Sequence, residues 1–178
     1  MSKFLYVFLV AVLLTSCSQY QKALKSEDLA MKYEVATKMY DAGKYSKAIR
    51  LFEQIAAPNR GKPQAEKLFY MFAQSYYKTK QYYLSGYQFE SFVAGYPKSE
   101  KREEAAFLGA KSFYQLSPVY SIDQTDTQKG IDKLQEYINA YPDSPNMVEA
   151  NKMITELRQK LEKKAFEIAK QYLSLIHI

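Results

Sequence analysis

"GKYSKAIRLFEQI" (43–55) is the stretch on which the fold turns. Ala48, Leu51, Phe52 and Ile55 recur three and four residues apart, which is the spacing of one helix face. Gly43 ahead of them marks a turn, and Pro58 and Pro63 behind them mark the end of the helix. Upstream, "YEVATKMYDAGKY" (33–45) puts Val35, Ala36 and Met39 on one side of an earlier helix. The stretch therefore reads as the second half of a helix-turn-helix unit.

That unit recurs. "YMFAQSYYKTKQY" (70–82) and "FLGAKSFYQLSPV" (107–119) align with 33–45 at successive offsets of 37. Ala36, Ala73 and Ala110 coincide, as do Tyr33, Tyr70 and Phe107, and Tyr40, Tyr77 and Tyr114. In the second halves Ala48 meets Ser85, Phe52 meets Phe89, and Ile55 meets Phe92. "FESFVAGYPKS" (89–99) and "LQEYINAYPDS" (134–144) match at offset 45, so the third unit carries an eight-residue insertion around 117–128. Small residues (Ala48, Ser85, Gly130) let paired helices approach, and large ones (Phe52, Phe89, Leu134) fill the space between units. No such unit buries its apolar face alone, so several must stack.

The fold expected is all-α, a helical solenoid. The motif in 43–55, Gly-x-Tyr-x-x-Ala-x-x-x-Phe-x-x-apolar, resembles the tetratricopeptide repeat, although that unit has 34 residues and this period is longer. Lys80 stands where the motif has glycine, and the insertion replaces the third turn. Units are expected at 30–63, 64–99 and 100–145. A partial fourth, 146–173, reads as one long amphipathic helix with Ile154, Leu157, Leu161, Ala165, Ile168 and Tyr172 near one stripe. Residues 174–178, "SLIHI", match no repeat position and are read as foreign to the array, which is expected to lack its later units.

The N-terminus carries a different signal. Lys3 followed by the apolar run "FLYVFLVAVLL" (4–14) reads as a signal peptide over 1–16, too short to span a bilayer. Leu14-Thr15-Ser16-Cys17 resembles the lipobox of bacterial lipoproteins, so Cys17, the sole cysteine, is the expected lipidation site. The implied mature chain begins there. Residues 17–28 read as a lipidated N-terminus and tether, with Ser26 and Asp28 as possible helix caps, ahead of a repeat domain over 29–173.

The composition narrows the remaining classes. Net charge is +6, but basic and acidic residues interleave, as in "KREE" and "RQKLEKK", which marks a solvated helix surface and argues against nucleic acid. The sole histidine, His177, lies in the tail. No catalytic triad, metal constellation or phosphate loop can be assembled, so neither an enzyme nor a cofactor or metal is expected; the covalent lipid is the exception. Glu103 and Glu104 read as favourable charge at a helix start. "DQTDTQ" (123–128) lacks the length and terminal Glu of a calcium loop.

Seventeen tyrosines leave one constellation to explain. Tyr33 and Tyr40, Tyr70 and Tyr77, and Phe107 and Tyr114 are each seven apart, about two helical turns, so each pair shares a helix face. In the tetratricopeptide family that face lines a groove, here with Lys111 between the rings of the third unit. The rings either complete the core or present flat apolar bodies and hydroxyls to an extended peptide.

Lipobox, repeats with "YP[KD]S" ends, and "SPVYSIDQTDTQKGIDKLQEYINAYPDSP" (117–145) joined to "EANKMITELRQKLEKKAFEIAKQYL" (149–173) together resemble the BamD family. These are lipoproteins of the outer-membrane β-barrel assembly machinery, and the likeness is to the Bacteroidetes members. It implies a noncatalytic protein anchored at the periplasmic face of the outer membrane. The partners it implies are the barrel protein BamA, other subunits of the assembly complex, and unfolded outer-membrane β-barrel proteins. The alternatives are a general periplasmic tetratricopeptide adaptor in envelope division or polysaccharide export, and a glycan-binding lipoprotein.

Overall fold

The structure, a computed structural model, describes residues 19–176. The expected leader, Cys17 and His177 lie outside the described residues. All regular structure among those described is α-helical. None of these helices is long and apolar enough to cross a membrane. A short helix α1 (19–25) precedes α2 (Leu29–Asp41), α3 (Tyr45–Asn59), α4 (Ala65–Lys78), α5 (Tyr82–Gly95), α6 (Arg102–Leu116), α7 (Thr125–Ala140) and α8 (Met147–Ile176). The chain divides into two compact units, Met1–Thr79 and Lys80–Ile178.

In the first unit α2, α3 and α4 each pack against the other two. Asp28 starts α2: its carboxylate accepts from the N–H groups of Ala30 and Met31 at 2.8 and 3.2 Å, and Ser26 Oγ accepts from Asp28 N at 3.0 Å. Of the two expected caps Asp28 is the one in use, satisfying donors that a helix start leaves open, while Ser26 holds the backbone of Asp28. Gly43 turns the chain into α3 at φ 69°, a conformation L side chains resist. Ala48, Leu51, Phe52 and Ile55 are fully buried, as the helical spacing requires. Phe52 meets the ring of Phe72 at 5.9 Å, and Phe72 meets Tyr76 at 4.8 Å. Asn59 is buried with both ends satisfied: its amide donates to the Ile55 carbonyl at 2.8 Å and its oxygen accepts from Gln64 at 3.0 Å, which ties α3 to the start of α4.

The N-terminal segment departs from the tether reading. Residues 19–25 are helical, with Tyr20 and Ala23 buried and Lys47 5.2 Å over the Tyr20 ring. Two apolar side chains three residues apart are enough to seat one helical face. The polar residues between them gave the stretch its linker character.

In the second unit α6 packs on α5, α7 and α8, and α7 also packs on α8. A cluster of Phe107, Ala110, Ile131, Leu134, Tyr137, Ala150, Met153, Ile154 and Leu157 forms the core shared by α6, α7 and α8. Gly130 of α7 faces both α6 and α8. A Cβ there would stand 3.2 Å from the Phe113 carbonyl oxygen and 3.1 Å from Leu157 Cδ1, so a side chain would force the helices apart. The eight-residue excess of the third unit appears as the connection 117–124, and α8 continues through Ser174, Leu175 and Ile176 of the tail.

Candidate functional site

The seven groove candidates fall on three helices. Tyr33 and Tyr40 sit on α2, and Tyr70 and Tyr77 on α4, both in the first unit; Phe107, Lys111 and Tyr114 sit on α6 in the second. The four first-unit tyrosines are all half-buried, and the Tyr70 hydroxyl is out of solvent. Tyr40 also meets Tyr45 edge-on, 5.6 Å between centroids. Thr37, between Tyr33 and Tyr40, turns its hydroxyl back to the Tyr33 carbonyl at 3.0 Å. Rings at other positions of the same helices, Phe72, Tyr76 and Phe113, are buried. Tyr76 donates to Glu53 at 2.9 Å, and burial first, then this carboxylate, pushes its phenol well above the usual range.

The second-unit members are held by α7 and α8. Phe107 is buried and stacks obliquely on Tyr137, 5.3 Å between centroids. Lys111 pairs with Glu149 at 2.6 Å, and Tyr114 donates to Glu156 at 2.5 Å. That hydrogen bond, followed by burial, raises the Tyr114 pKa to about 12. Two turns of α6 thus present a ring to α7, and a cation and a phenol to the helix that opens the fourth repeat.

Two polar networks had no counterpart in the sequence reading. In "YPDS" the Ser144 hydroxyl donates to Glu103 at 2.6 Å and receives Tyr137 at 2.5 Å. It also accepts from Asn146 N at 3.1 Å. One serine so joins the start of α6, the end of α7 and the approach to α8. Glu103 therefore does more than favour the helix N-terminus, while Glu104 pairs with Lys101 at 2.9 Å as a surface acid.

The insertion is equally ordered. The buried Gln124 amide donates to the carbonyls of Val119, Ile122 and Asp123 at 2.8, 3.0 and 3.3 Å, and its oxygen accepts from Thr127 at 2.8 Å. Three lysines of α8 clamp the same loop. Lys160 donates to Ser117 Oγ at 2.6 Å, Lys164 to the Ile122 carbonyl at 2.6 Å, and Lys163 lies 4.3 Å over the Tyr120 ring. Desolvation holds the Lys160 pKa below its ordinary value. Its ammonium is committed to neutral oxygens, a geometry that fixes the loop.

Among the described residues no three of His, Cys, Asp and Glu come together as metal ligands. What the described residues supply is helical surface carrying aromatic and charged side chains. A family model described as YfiO, an outer membrane lipoprotein, matches residues 25–175. The chain is also 29% identical over 163 residues to the putative outer membrane protein assembly factor BamD of Aquifex aeolicus (strain VF5). That alignment covers 90% of this chain and 53% of the relative, so the chain spans about half the relative's length. With repeat register, insertion and fourth-unit helix all inside the matched span, the chain belongs to the YfiO family of BamD-like outer-membrane lipoproteins.

Proposed function

We propose that this protein is a noncatalytic factor in outer-membrane protein assembly, anchored through lipid on Cys17 at the periplasmic face. In this reading it binds unfolded β-barrel proteins and a BamA-like barrel-assembly protein. The observation that carries the reading is the family match across 25–175, which takes in every repeat unit read from this sequence. The tyrosine faces of α2 and α4 give it a physical rationale. Half-buried Tyr33, Tyr40 and Tyr77 offer rigid, amphipathic contact area at low entropic cost, and Tyr70 adds rigid ring area, which suits an extended segment with alternating aromatic side chains.

Co-purification with the barrel-assembly protein tests the partner directly. For the client surface, Tyr33→Ala and Tyr70→Ala together should weaken binding of a C-terminal barrel peptide about tenfold or more. Tyr114 is a poor choice there, because its loss also breaks the contact of α6 with Glu156 on α8. Unchanged affinity in the doubly substituted protein, with an intact helical spectrum, would remove the groove from the proposal. Mass spectrometry of the mature N-terminus tests the anchor: a diacylglyceryl-modified Cys17 is expected, and cleavage elsewhere would refute it.

A further inference from the structure

The connection 117–124 takes its shape from polar groups and leaves its aliphatic side chains outside. Ile122 N donates to the Val119 carbonyl at 3.4 Å, which closes a turn. The buried Gln124 amide holds the carbonyls of Val119, Ile122 and Asp123 from within. On the other side of that turn Val119 is 64% exposed and Ile122 55%. Two aliphatic side chains thus stand in solvent on a backbone that does not need their packing. Phe166, 66% exposed, follows Lys163 by one turn on α8, the helix against which the loop is held.

The same place carries positive charge that nothing on it neutralises. Lys160 and Lys164 spend hydrogen bonds on neutral oxygens of the loop, and Lys163 lies over the Tyr120 ring. None of the three takes part in an ion pair among the described residues. The only acid of the loop, Asp123, accepts from Thr125 N at 2.9 Å and so serves the start of α7. Between 158 and 170, α8 has five basic side chains against two acids. Apolar tips beside uncompensated ammonium groups are the pairing that an anionic bilayer surface accepts: the tips enter the acyl boundary and the cations stay among phosphates.

We propose that the 117–124 loop, with Phe166 and the lysines of α8, is a contact for anionic phospholipid headgroups, made in addition to attachment at the N-terminus. Three exposed apolar side chains are too small a patch for a stable protein interface, which buries well over about 1,000 Å². A bilayer demands no such area and no matching shape. The chain belongs to a family of outer-membrane lipoproteins, so the surface is already at hand, and a contact too weak to recruit a free protein is populated in an attached one. The proposal rests on the membrane attachment proposed above, and on neither the tyrosine faces nor the assembly partners.

The protein has no tryptophan, so Ile122→Trp makes the loop its own reporter. The full mature lipoprotein carrying it is reconstituted in vesicles of phosphatidylcholine, and in the same vesicles with phosphatidylglycerol added, all with brominated acyl chains. In the anionic vesicles the emission should move to the blue and be quenched about fivefold more strongly than in the neutral ones. Lys163→Gln keeps both hydrogen-bonded lysines, and hence the fold of the loop, and should remove roughly half of that quenching. High salt should act in the same direction. Val119→Asp, at an exposed side chain whose carbonyl still meets Gln124, should abolish it. Emission that stays red and unquenched, equal quenching in both kinds of vesicle, or a blue shift without quenching would overturn the proposal, the last by assigning the loop to a protein partner or a second copy. Flotation of the vesicles reads attachment separately. A chain that floats with its tryptophan unquenched refutes the loop contact alone, and a chain that does not float refutes anchor and contact together.

Discussion

Lys80 adopts φ 60°, the left-handed conformation that Gly43 adopts at φ 69° thirty-seven residues earlier. A side chain there costs about 1–2 kcal/mol, partly offset by the extra freedom glycine has when unfolded. Lys80→Gly is therefore expected to raise stability by roughly 0.5–1 kcal/mol, read as a higher urea midpoint. The departure from the repeat motif was visible in the sequence, and the repeat register told which backbone shape that position must take. Ser144 is the opposite case. Its place in "YPDS" was legible, but its partner Glu103 is 41 residues away and nothing local announces the pairing. Ser144→Ala should cost about 1–3 kcal/mol, because Glu103 and Tyr137 lose their common partner. A milder loss in chemical denaturation would show that water replaces the hydroxyl.

At the level of the element, helix spacing made α2 to α8 readable, since each carries apolar residues three and four apart over several turns. α1 was not, because seven helical residues with two buried anchors resemble a polar linker. The connection 117–124 was legible as an insertion but not as a fixed structure, since its order depends on lysines some forty residues downstream. Gln124→Ala should remove three carbonyl contacts and speed amide exchange in the loop and the first turn of α7. Unaltered protection would mean that the lysines suffice. The α6–α8 seam brings a pH dependence. The Tyr114 pKa is raised in the fold from 10.0 to about 12, so its contribution is complete below pH 10 and fades as pH rises toward 12. Tyr114→Phe should flatten the fall in melting temperature across that window, and Glu156→Gln should flatten it in part. A wild-type slope in both would assign the alkaline loss to other groups.

Over the whole chain, small and large residues in alternation create shared cores that no single hairpin could build. Leu157, fully enclosed by α6 and α7, should cost about 2–5 kcal/mol as Leu157→Ala in thermal or urea unfolding. The aromatic columns were legible as a recurrence, yet their occupation in the third unit was not, because Glu149 and Glu156 belong to the next repeat. α8 itself has one more consequence. Beyond Lys164, the last of its side chains to reach the 117–124 connection, the helix runs on for about twelve residues, roughly 18 Å, with Phe166, Tyr172 and Leu173 in solvent. An isolated helix of that length is marginal in water. Circular dichroism should therefore show a gradual, non-cooperative slope on warming, as the rod melts back toward Lys164 before the body of the protein unfolds.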